Sequence, residues 1–231
     1  MRIRTARESA CAARGVCLRS GASCYVPPVP HVDAWIDYSS PFAYLGATQI
    51  ERIARDAGAS VAFRPFLLGG LFRAIGTPLV PLDAMPEAKA RHFRLELERW
   101  ATRWDVPFRF STRFPLRTVD ALRLTLLAPD EAKPALVHAL MRATWVEDRD
   151  PADPAVLRAA CAEAGLDPAL VTRTPEARQA LVEQTEEARS LGVPGAPTFV
   201  VAGELYWGQD RLGLVADALR GWVAPPLETS G

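Results

Sequence analysis

Three short stretches carry residues whose types and spacing suit chemistry. The first is Ser39-Ser40-Pro41-Phe42, where a run with strand character gives way to a helix. A hydroxyl at a helix mouth lies beside backbone N–H groups that have no partner inside the helix, at its positive end. An anion held there is stabilised, and a thiolate is the obvious small one. The same serine also reads as an ordinary N-cap. The second stretch runs from Gly192 through Pro194, Gly195, Ala196 and Pro197 to Phe199. A proline between a loop and a strand can hold a cis bond that turns the preceding backbone towards the first helix mouth. It also serves simply to start the strand. The third is Trp207-Gly208-Gln209-Asp210-Arg211-Leu212. Asp210 near a helix start either caps free N–H groups or faces the amine of a ligand.

Other chemistries are excluded by what is missing. Ser40-Pro41-Phe42-Ala43 occupies the stretch where a disulfide oxidoreductase places two cysteines. Dithiol exchange needs both thiols, so the body of the chain cannot perform it. There is no GxSxG elbow, no GxGxxG and no GxxxxGK[ST], so serine-hydrolase, dinucleotide and phosphate-loop chemistry find no support. Gly69-Gly70 and Gly76 mark flexible backbone near the second strand, not a phosphate cradle. His31, His92 and His138 are scattered without zinc-like spacing. Cys11, Cys17 and Cys24 sit near the start and Cys161 alone in the body. The body therefore makes no internal disulfide, which favours a reducing compartment and a cytoplasmic location.

The elements that must position these residues follow from patterning. The chain has 231 residues, 49% hydrophobic and 23% charged, enough for a sizeable core. Its 27 basic and 27 acidic residues cancel, which excludes a polybasic nucleic-acid binder. No apolar run is long enough for a membrane span. Residues 1–30 carry five arginines against Glu8 alone and are expected to lie outside the folded domain. They read as an Arg-rich leader, a disordered arm or a start placed too far upstream; residues 224–231 read as a polar tail. Strands are expected at 32–38 and 60–66 around a helix that begins at Pro41 and stops at Gly58. Helices are expected at 86–104, 116–128, 132–147, 152–166 and 174–192, the last capped by Thr174. A hairpin across Ala202-Gly203 and a last helix from Gln209 close the chain. The expected fold is α/β, a thioredoxin-like fold with a large inserted all-helical domain. Its sheet part is expected over 31–66 and 190–223, and the insertion over 67–189.

Several stretches together resemble the 2-hydroxychromene-2-carboxylate isomerase family, relatives of kappa-class glutathione transferases and DsbA-like proteins. They are DYSSPFAYLG at 37–46, FRPFLLGGLFRAIG at 63–76, FPLRTVDALRL at 114–124, TWVEDRDPADPAVL at 144–157 and GVPGAPTFVVAGELYWGQDRL at 192–212. The resemblance spans about residues 32 to 223. It implies glutathione as cofactor and Ser40 as the catalytic residue; in disulfide-forming relatives cysteines match Ser40 and Ala43. It implies that the Ala196 backbone pairs with the tripeptide, that Pro197 is cis, and that Gln209 and Asp210 hold the γ-glutamyl end. The reaction implied interconverts 2-hydroxychromene-2-carboxylate and trans-o-hydroxybenzylidenepyruvate by thiolate addition, bond rotation and elimination. The small aromatic carboxylate substrate would lie against the helical insertion, with Trp100, Trp104 and Trp145 as candidate walls; aromatics at that spacing also serve as core. Where the family has Gly-Asn, this chain has Gly76-Thr77, so a smaller hydroxyl faces the substrate side. Arg73 offers a positive charge for a carboxylate, or is a surface arginine. Kappa-class relatives imply a homodimer, with no nucleic-acid or membrane partner. The other readings are a kappa-type transferase or peroxidase that consumes glutathione, and a non-enzymatic thioredoxin-like binding protein.

Overall fold

Strand β1 (His31–Ile36) is buried along most of its length, because both faces of the sheet it joins are covered. The computed structural model describes residues 29–223 and 225; the expectations placed on residues 1–28, with Cys11, Cys17 and Cys24, and on the tail lie outside the described residues. Helix α1 (Pro41–Asp56) follows β1. Ser40 is its N-cap, with extended backbone at φ −98° and ψ 114°, and Pro41 takes the first position, where no N–H is needed. Gly58, at φ 66°, ends the helix as its stop signal predicts. Strand β2 (Ser60–Pro65) then pairs parallel to β1, from His31 opposite Ser60 to Ile36 opposite Pro65.

Six helices separate β2 from the rest of the sheet: α2 (Leu68–Ile75), α3 (Glu87–Trp104), α4 (Val119–Leu127), α5 (Lys133–Trp145), α6 (Pro154–Glu163) and α7 (Arg178–Ser190). Strands β3 (Thr198–Val201) and β4 (Glu204–Trp207) form the hairpin. Ala202 and Gly203 turn it with positive φ at both positions, 50° and 88°, the geometry that suits a two-residue loop. Strand β3 runs antiparallel to β1, so the sheet order is β2-β1-β3-β4. A turn of 3₁₀ helix (Gln209–Arg211) leads into α8 (Leu212–Leu219). This is the thioredoxin-like sheet with a helical insertion.

Two elements differ from the sequence pattern. Helix α2 forms where Gly69-Gly70 suggested flexible backbone, because its first N–H groups find partners from elsewhere in the chain: Leu67 N–H donates to the Thr185 hydroxyl at 3.0 Å and Leu68 N–H to Asp37 at 2.8 Å. Helix α7 starts at Arg178 instead of Thr174. Residues Pro168–Ala177 form a 3₁₀ segment with Pro175 inside it, and Thr174 is buried there rather than capping the helix.

Period-two alternation along β1 sends Val32, Ala34 and Ile36 to one face and Trp35 to the other. The first face joins α1 and the insertion in one core that includes Leu45, Ile50, Leu97, Leu122, Leu140 and Trp145. On the second face Trp35, Phe66, Leu71, Ala188 and Val193 form a smaller cluster, so α2 and α7 cover the back of the sheet.

Helix α1 crosses the start of β3 at close range. A Cβ on Gly46 would stand 3.0 Å from Phe199 Cζ and 3.2 Å from Pro197 Cγ. Gly46→Val is therefore expected to cost about 1–3 kcal/mol by overpacking, read as a lower urea midpoint. A variant as stable as the parent would show that this approach does not constrain the fold.

Candidate active site

The loop between β1 and α1 is held residue by residue. Asp37 is 1% exposed. Its Oδ1 accepts from Ser39 N–H at 2.9 Å and from the Thr118 hydroxyl at 2.7 Å, and its Oδ2 accepts from Leu68 N–H. Those donors belong to the loop itself, to the residue before α4 and to the first turn of α2. The Tyr38 hydroxyl shares a 2.5 Å hydrogen bond with that of Thr125, and the Tyr38 carbonyl accepts from Trp145 Nε1 at 3.0 Å. Ser40 N–H donates to the Asp37 carbonyl at 3.0 Å.

This scaffold fixes the Ser40 hydroxyl between two groups. It accepts from Ala43 N–H at 3.2 Å and donates to the Ala196 carbonyl at 2.7 Å. The Ala196–Pro197 peptide is cis. Pro197 in turn accepts, through its carbonyl, the Gly208 N–H at 2.9 Å, which joins the loop before β3 to the turn after β4. Two glycines make that junction possible. Gly208 has φ 107°, and a Cβ there would stand 2.5 Å from Asp210 Oδ1. A Cβ on Gly195 would stand 2.9 Å from Trp207 Nε1, so the exposed indole lies directly on the Gly195 backbone. Gln209 is buried, while Asp210 is exposed and paired with Arg211 at 2.8 Å.

Ser40, Ala196 and Pro197 thus meet directly, and Gln209 and Asp210 join them through Gly208. The remaining sequence candidates do not converge on this point. Arg73 is exposed in the last turn of α2, and Thr77 closes that helix through its N–H to the Phe72 carbonyl at 2.9 Å. Trp100 and Trp104 pair on α3 with ring centroids 4.7 Å apart and pack half-buried on the core. Trp145 is fully buried and supports the Tyr38 carbonyl, so it is a core residue rather than a wall. Sequence reasoning missed Asp37, and it assigned no role to Gly195, Trp207 and Gly208 within the stretches it singled out. Only Asp37 and Gly208 had a local signal, an acid three residues before Ser40 and a glycine before a helix start.

The electrostatics favour an anion at Ser40. No acidic side chain lies in the first turn of α1; Asp37, three residues before its cap, spends its carboxyl on three other donors, so the positive end is offset only in part. Burial pushes the Asp37 carboxyl above its ordinary value, and its hydrogen-bond donors only partly offset this. Cys161 is buried in α6, where desolvation pushes its thiol up, away from a nucleophilic role. Among the described residues no group of three or more His, Cys, Asp or Glu is placed to hold a metal ion. The donor set fits a thiol peptide. A hydroxyl at a helix end suits a sulfur anion, and the half-buried Ala196 offers backbone.

A family model described as the DSBA-like thioredoxin domain matches residues 31–220. The chain belongs to this family. The 2-hydroxychromene-2-carboxylate isomerase of Sphingobium xenophagum is 29% identical over 184 residues, covering 78% of this chain and 93% of that protein. Glutathione S-transferase kappa 1 of Caenorhabditis elegans is 25% identical over 216 residues, covering 84% and 93%. A solved structure of 2-hydroxychromene-2-carboxylate isomerase superposes with a TM-score of 0.70 at 25% identity, covering 82% of this chain and 94% of that one. At the family level these likenesses support an isomerase- or transferase-type enzyme. No helix among the described residues is long and apolar enough to cross a membrane.

Asp37→Ala leaves three donors without their acceptor and is expected to cost about 3 kcal/mol or more. Asp37→Asn tests the charge. A carboxyl whose native pKa is raised binds its proton more tightly when folded. Its contribution to stability is therefore present in acid and declines as pH rises from the ordinary value of 3.8 through the raised one. The stability of the parent relative to Asp37→Asn is expected to fall across that window and level off above it. A difference independent of pH would overturn this account.

Proposed function

We propose that this DsbA-like protein is a glutathione-dependent isomerase that interconverts 2-hydroxychromene-2-carboxylate and trans-o-hydroxybenzylidenepyruvate. The observation that carries the reading is the Ser40 hydroxyl, set at the mouth of α1 and 2.7 Å from the carbonyl before the cis proline. Neither position 40 nor position 43 is a cysteine, so the site can hold a thiol but cannot exchange a disulfide of its own.

Bound glutathione would supply a thiolate that adds to the conjugated carbon and leaves again once the bond has rotated, so that no thiol is consumed. Ser40 turns its proton from the Ala196 carbonyl to the sulfur, a rotation about one side-chain bond, and so favours the anion. The open N-terminus of α1 lowers the cost of that charge further. The freed Ala196 carbonyl and its N–H are then available to the peptide backbone of the tripeptide. Asp210, exposed beside Arg211, takes the ammonium, and the turn at Gln209 offers N–H groups to the neighbouring carboxylate. The reading carries with it a homodimer and a cytoplasmic location, where glutathione is reduced.

The second reading is a kappa-type transferase, favoured by the extent over which the nematode kappa enzyme aligns. Thiol bookkeeping separates the two. The isomerase converts the chromene only with glutathione present and leaves its concentration constant; a transferase consumes it with an electrophile. Ser40→Ala is expected to lower kcat/KM about 10²- to 10³-fold, the effect of losing one donor to a developing anion. As a lost cap it costs only about 1 kcal/mol of stability. An unchanged rate in that variant would remove Ser40 from the mechanism.

A further inference from the structure

Phe42 is the second residue of α1, two positions from Ser40. Side chains on a helix lean towards its N-terminus, so the Phe42 ring leans towards the Ser40 end. There it meets Phe93 of α3 edge-to-face, with centroids 4.9 Å apart. Beside this pair lies a shallow, largely open cleft of about 460 Å³, floored by Phe42, Phe93 and Met85 and bordered by Lys89, His92 and Glu96. That size suits a small molecule. Two aromatic rings and a thioether suit the faces and edges of a planar ring.

The charges around the cleft point to the sign of its ligand. Glu96 is satisfied by Arg99 at 2.7 Å, with His92 at 3.7 Å. Lys89 makes no ion pair among the described residues. It stands in the first turn of α3, two residues after Glu87, the acid of that turn. The Lys89 ammonium, without an ion pair, therefore stands at one rim of an apolar cleft. Neither Arg73 nor Trp100 nor Trp104 borders it.

We propose that this cleft seats the ring of an aromatic carboxylate, with Lys89 taking the carboxylate and Phe42, Phe93 and Met85 taking the ring. It rests on the isomerase reading in one respect only, that the substrate is an aromatic acid. The cleft places that acid against Phe42 in the first turn of α1, two residues from Ser40. Lys89, not Arg73, then supplies the cation, and Phe42 with Phe93, not the tryptophan pair, supplies the wall.

Binding to the intact protein tests this without relying on turnover. Calorimetric titration with 2-naphthoate, which has no group for the isomerase to act on, is compared with neutral 2-naphthamide. Naphthoate is expected to bind about tenfold more tightly than the amide. Lys89→Met keeps the apolar stem and is expected to bring naphthoate down to the level of the amide. Glu96→Gln removes the carboxylate at the rim and is expected to tighten naphthoate several-fold. Opposite signs in two surface variants of one helix exclude a folding defect as the cause. Equal binding of acid and amide, no binding of either, or unchanged affinity in both variants would overturn the cleft. If the binding pattern holds but the parent does not convert the chromene, the isomerase reading fails and the cleft stands.

Discussion

The carboxylate of Asp37 is the constraint on which the site depends. It gathers donors from the β1–α1 loop, from the start of α2 and from the residue before α4. Those segments lie 2, 31 and 81 residues away in the chain. Burying a carboxylate is unfavourable, and that desolvation pushes the Asp37 pKa up. Removing it is worse, because each abandoned buried donor costs about 1–3 kcal/mol. The fold keeps an unfavourable charge because three elements share it as an acceptor, and the serine three residues on inherits their rigidity.

The second junction is between the two ends of the fold. Ser40 and Ala196 are 156 residues apart and meet through one hydrogen bond. Around it the chain keeps glycine wherever backbones or rings come closest. Gly46 lets α1 lie on Pro197 and Phe199, Gly195 lets Trp207 lie on the loop, and Gly208 turns back to the Pro197 carbonyl. A hydroxyl held this way is positioned before any ligand arrives, and preorganised donors are the ones that stabilise developing charge.

The helical insertion does more than cover the sheet. An aromatic chain runs from Tyr44 in α1 through Phe108 to Trp145, with successive centroids 6.3 and 6.2 Å apart. The Tyr44 hydroxyl donates to the Pro107 carbonyl just beyond α3, and Trp145 donates to Tyr38. The insertion thereby grips both sides of Ser40, one through the loop and one through the helix. It also brings α3 to Phe42, which forms the apolar cleft there.

The features legible in the sequence are those written in neighbouring residues. Ser40-Pro41 announced a helix start, Gly58 its end, Ala202-Gly203 a two-residue turn, and Pro197 a special peptide before a strand. Each rests on the conformational preference of one or two residues, which needs no distant partner. Helix α2 was not legible, because two glycines oppose it and only Asp37 and Thr185, far off in the chain, supply its first acceptors. Nor was the role of Trp145, since helical spacing shows that an aromatic is on a face but not what that face meets. Arg73, Trp100 and Trp104 carried suitable chemistry and lie away from the Ser40–Ala196 junction, whereas the place of Lys89 was not legible until α3 was laid across α1. Local propensity is set by the chain itself, while convergence on a site is set by how elements pack, and packing is decided only when the whole core closes.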